Sequence, residues 1–172
     1  MGIEPYRLPP KGKHQPKEIY NRLVKRCPEF EDQREYQPTV GFLMREFPLV
    51  EGGRTVLGAM HLPAVQGKLR SLFEWMVERM FGHLPDFIMI LDAGYWDSVD
   101  AKLREILVFH EMCHMALKIN NDGDMVIDDE TGRPKWKLVG HDVEEFTAVV
   151  ARYGAWNDEL RRFVEAAGGR AQ

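Results

Sequence analysis

The chain has 172 residues, a length that suits one domain of roughly 100–200 residues, and its 44% hydrophobic and 29% charged residues are globular in character, not disordered. A formal net charge of −4 excludes nucleic-acid binding through bulk positive charge, and two cysteines, Cys27 and Cys113, are too few for a disulfide framework. No apolar run near the start suits a signal peptide or a membrane span, so a cytoplasmic protein is expected.

Residues 1–16 carry four prolines together with Arg7, Lys11 and Lys13, which predicts a flexible, extended basic arm. Ile19, Leu23 and Val24 place a first helix over Lys17–Cys27, ended by Pro28. Two short apolar runs, Thr39–Met44 and Thr55–Met60, read as strands separated by a loop with Pro48, Gly52 and Gly53. Leu69, Leu72, Phe73, Met76, Val77 and Met80 recur at helical steps, so Gln66–Phe81 is expected to be an amphipathic helix whose methionine and aromatic stripe packs in the core. The unbroken run Phe87–Leu91 predicts a strand buried on both faces.

A long helix is expected from Ser98, as N-cap, to Ile119, apolar on nearly every face and therefore central. Met125–Ile127 and Lys135–Val139 flank a polar turn and predict a hairpin; its acids lack the offsets of a calcium loop. A last helical region begins near His141, and Ala167–Gln172 is expected to be a frayed tail. The organisation is thus an arm (1–16), one domain (17–166) and a tail (167–172).

His110-Glu111-Met112-Cys113-His114 is an H-E-x-x-H motif. Four residues turn a helix through about 400°, so His110 and His114 share a face and reach one zinc ion, while Glu111 points about 100° away, as a base and not a ligand. Two buried imidazoles and a buried carboxylate without a metal would cost several kcal/mol. Cys113 is turned off the metal face and is expected to be a small core residue. A third protein ligand is needed. Leu117 and Asn120 stand where the glycine and third histidine of the longer motif would be, which excludes that form. His141, in Gly140-His141-Asp142-Val143-Glu144-Glu145-Phe146, stands at the start of the last helical region; Glu145, one turn further on, is the rival ligand.

His-Glu-Met-Cys-His-Met followed by Gly-His-Asp-Val-Glu-Glu-Phe resembles the phage metallopeptidase domains and, at a further remove, the SprT-like (Spartan) zinc metalloproteases. The resemblance covers Asp86–Trp156. It implies an α+β, zincin-like (minimal gluzincin or SprT-like) domain with a small mixed sheet and a buried H-E-x-x-H helix, and a location in the host cytoplasm. It also implies one zinc ion on His110, His114 and His141, with Glu111 as general base in peptide-bond hydrolysis. Asp142 is either a first-turn acid meeting the helix dipole or a carboxylate fixing a histidine tautomer. Tyr95 and Tyr153 are candidate oxyanion donors. By analogy, the Phe87–Leu91 strand would be the edge that pairs with an extended peptide substrate. The alternatives are a metal-stabilised protein-binding module, and a protease acting on DNA-bound proteins through the basic arm.

Overall fold

Alternation along two strands sets the layers of the fold. In β6 (Phe87–Asp92), Phe87, Met89 and Leu91 point into one apolar cluster, and Ile88 and Ile90 into another on the opposite face. In β2 (Val40–Arg45), Phe42 and Met44 join the first cluster and Leu43 the second. Successive side chains of a strand face opposite ways, so a run apolar at every position has to be covered on both sides. The computed structural model describes residues 4–143, 150, 154–155 and 158–168. They fall into two compact units, Met1–Val139 and Gly140–Gln172.

The first unit is built on a four-stranded mixed sheet. β1 (Tyr6–Arg7) is antiparallel to β2, β2 is parallel to β6, and β6 is antiparallel to β5 (Gly58–His61), giving the order β1-β2-β6-β5. β1 lies inside the proline-rich arm, so part of that arm is ordered by edge pairing. Tyr6 and Arg7 lie opposite Arg45 and Met44, and Arg7 pairs with Glu46. Thr39 and Asp86 tie the starts of β2 and β6 together, the Asp86 carboxylate accepting from the Thr39 backbone and hydroxyl at 2.7 and 2.8 Å. Between β2 and β5 the chain makes a two-residue-strand hairpin, β3 (Val50–Glu51) and β4 (Arg54–Thr55), around Gly52 and Gly53, both at positive φ as its tight turn requires.

One face of the sheet is covered by α1 (Pro16–Arg26), which begins with proline at its first turn, and by the helices after β6. A 3-10 turn (Pro28–Phe30) and α2 (Glu31–Tyr36), which periodicity did not anticipate, place Phe30 against Phe109, ring centroids 4.8 Å apart. The other face receives α3 (Arg70–Phe81) through Phe73, Val77 and Phe81. Here the expected core stripe is corrected. Leu69, Leu72, Trp75, Met76 and Met80 are exposed, because one sheet face accommodates only the 73/77/81 row of the helix.

The long helix expected over Ser98–Ile119 is one shorter helix followed by a strand, and a separate short helix ends at Ser98. α4 (Ala93–Ser98) is capped by Asp92, and α5 (Ala101–Cys113) by Asp100, whose carboxylate accepts from Leu103 N at 2.9 Å. Ser98 closes α4 through its hydroxyl on Tyr95 O, so it does not open the next helix. Beyond His114 the chain becomes β7 (Met115–Leu117), antiparallel to β8 (Trp136–Leu138). The expected 125–127 hairpin arm is reduced to isolated bridges, Ile119 with Met125 and Ile127 with Pro134. In the second unit α6 (Asp158–Ala166) buries Leu160 and carries two acids in its first turn.

Asp100→Ala should destabilise the protein by about 1 kcal/mol, the usual worth of an N-cap. Ser98→Ala should stay within about 0.5 kcal/mol of wild type. Urea denaturation midpoints of the two variants decide which residue caps α5.

Candidate metal centre

The last turn of α5 carries His110 and Glu111, and His114 is its C-cap, still in right-handed helical conformation. Helical spacing therefore sets the two imidazoles side by side, ring centroids 5.3 Å apart and inclined at 78°. His110 is exposed and His114 half-buried.

Val139 clamps His114 twice. Its N–H donates to His114 O at 2.9 Å, and its carbonyl lies 2.7 Å from His114 Nδ1. The ring nitrogen must donate to that carbonyl, which places the proton on Nδ1 and leaves the Nε2 lone pair for a cation. The same clamp returns the chain to the helix end. His141 follows Val139 by two residues, so its Cα lies within about 7.6 Å of that of Val139. Among the described residues, His110, His114 and His141 are a group able to hold a metal ion, offering one ligand atom each, all within 4.8 Å of one another. Three imidazole nitrogens are a donor set that would suit a transition-metal ion such as zinc.

Glu111, beside His110 in the helix, is buried, only 3% exposed. Its carboxylate accepts a hydrogen bond from the Met60 backbone and lies against Gly58, where an added Cβ would come within 2.6 Å of Oε1. Burial pushes the Glu111 carboxyl up to about 7, with the nearby His114 and the Met60 N–H offsetting part of the rise. β5 therefore contributes to the site through a missing side chain and a backbone donor. Both escaped periodicity arguments. The one signal was a glycine inside an apolar strand, which often marks close approach of another group.

Tyr95 is half-buried and lines the same groove as His110 and Glu111. Asp142 is exposed, beside Glu159 and Arg162 of the second unit. Glu145 and Tyr153 lie outside the described residues. Two expectations are corrected. Cys113 is exposed, because the helix ends there instead of continuing through the core. Phe87–Leu91 is an interior strand, hydrogen-bonded on both sides, to β2 and to β5, and the edges of the sheet are β1 and β5.

The chain matches the family described as Putative phage metallopeptidase over residues 12–168, and it belongs to that family. No curated protein and no solved structure is a match. Among the described residues no helix is long and apolar enough to cross a membrane.

Gly58→Ala should cost about 1–3 kcal/mol, because it displaces a buried carboxylate. It should drive the Glu111 carboxylate off the Met60 N–H. Faster hydrogen exchange at the Met60 amide, with a melting temperature lowered by several degrees, is the expected result.

Proposed function

We propose that this phage metallopeptidase family member hydrolyses peptide bonds at a single zinc ion held by His110, His114 and His141, with Glu111 as general base, in a zincin-like site related to the SprT-like enzymes. The observation that carries the reading is the grouping of three imidazole ligand atoms within 4.8 Å beside a buried carboxylate that is not one of them. A purely structural site has no use for that carboxylate, whose burial is costly. His141 is preferred to Glu145 because imidazole suits zinc and because the Val139 clamp keeps residue 141 near His114.

Zinc, when bound, lowers the pKa of water toward ~7 and polarises the scissile carbonyl. The remaining work falls to the chain. Glu111, fixed by the Met60 N–H and the space above Gly58, takes the proton of the attacking water and returns it to the leaving amine. Tyr95, at the groove wall, is the candidate donor to the oxyanion. The substrate aligns along the outer edge of β5. Leu57 O accepts from Asp92 N at 2.8 Å and so faces β6, and alternation turns the backbone groups of Gly58 and Met60 outward, toward Glu111.

Elemental analysis should find about one zinc per chain, lost in His110→Ala. Glu111→Gln should keep its zinc while proteomic cleavage profiling shows a fall in rate of about 10²–10⁴-fold, the usual contribution of a positioned base. Zinc retained in full by His110→Ala, or wild-type cleavage by Glu111→Gln, would overturn the assignment.

A further inference from the structure

A groove of about 350 Å³ opens directly onto His110 and Glu111. Its other walls are Val56, Leu57, Tyr95, Leu103, Ile106 and Leu107, with Gly58 at the junction. Glu111 is the only acidic residue in this lining, and its carboxylate is engaged with Met60. Leu103 and Ile106 are 42% and 52% exposed, so they do little for the core they would be expected to join. They share the helix face that bears His110, at spacings of seven and four residues.

The walls are held in place from behind. The buried Arg45 guanidinium donates to Val56 O and faces Asp92 across 3.9 Å. Asp92 in turn accepts from Tyr95 N at 2.8 Å through its carboxylate and donates its own N–H to Leu57 O. A groove braced by buried hydrogen bonds is preformed, as binding pockets usually are.

We propose that this groove is the specificity pocket of the enzyme, taking a large apolar substrate side chain close to the scissile bond, with Leu103 and Ile106 setting the preference. The inference rests on the peptidase reading above. Ile106 lies about 6 Å along the helix axis from His110, some two residues of extended peptide, so the selected side chain belongs to a residue flanking the cleaved bond. The occupant is an unfolded or extended segment of protein, because most leucine, methionine and phenylalanine side chains of a folded substrate are buried in its core.

The test is cleavage of a random peptide library by the zinc-loaded wild type and by Ile106→Arg and Leu103→Trp, with Glu111→Gln as background. Both altered residues are substantially exposed, so the variants should fold, and their melting temperatures check this. Wild type should enrich leucine, methionine or phenylalanine at one position beside the cleaved bond by about 10–200-fold, the range an apolar pocket supplies. Ile106→Arg should lose that enrichment and gain aspartate or glutamate at the same position. Leu103→Trp should shift it toward alanine and valine. Glu111-dependent cleavage by wild type without an apolar preference, or an unchanged profile in folded Ile106→Arg, overturns the pocket and leaves the peptidase reading standing. No Glu111-dependent cleavage by wild type overturns both.

Discussion

Two hydrogen bonds between Val139 and His114 organise the candidate site. One ends the helix by engaging its C-cap carbonyl, and the other holds the imidazole in a single orientation and tautomer. Their joint effect is topological. The chain leaves α5 at His114, runs out through β7 and the polar loop, and is brought back by β8 to within two residues of a third histidine. Pairing of Met115 with Leu138 and of Leu117 with Trp136 sets that return in register. A slip of one residue would turn every side chain of β8 to the opposite face. Trp136, packed edge-on to Phe87 at 5.8 Å, opposes such a slip by seating the strand in the core.

The second constraint is the burial of Glu111. An ionisable carboxyl in a low-dielectric interior is held toward its neutral form, and the direction of its pKa displacement follows from that alone. What keeps the group in place is backbone: the Met60 N–H on one side and the bare α-carbon of Gly58 on the other. Because β5 is an edge of the sheet, the outward N–H of Met60 has no strand partner and is met by the Glu111 carboxylate. Buried carboxylate, sheet edge and apolar groove are thus consequences of one packing arrangement, α5 against β5.

The H-E-x-x-H spacing was readable without coordinates, because a helix of 3.6 residues per turn puts positions 110 and 114 on one face whatever surrounds them. The buried strand Phe87–Leu91 was readable for a similar reason: five contiguous apolar residues between turn signals have few other ways to fold. His141 could be singled out by its place in the chain and by family resemblance. Its closeness to the other two depends on a β-return more than twenty residues long.

Other features resisted a one-dimensional reading. The apolar pattern of α3 reads as a single core stripe, yet only Phe73, Val77 and Phe81 meet the sheet, since a pattern records which residues are apolar and not how much surface awaits them. The helix expected to run to Ile119 stops at Cys113 because tertiary hydrogen bonds to Val139 outweigh the local preference of Met115–Leu117. Which strand forms the edge was likewise a matter of pairing order, with Phe87–Leu91 interior and Gly58–His61 exposed along one side. By itself, then, the sequence determined the shared helix face of His110 and His114, the position of Glu111 off that face and the buried strand, all governed by local periodicity. The tertiary structure alone decided the edge, the cradle at Gly58, the clamp at Val139 and the grouping of the third histidine with the other two, because each depends on contacts between residues distant in the chain.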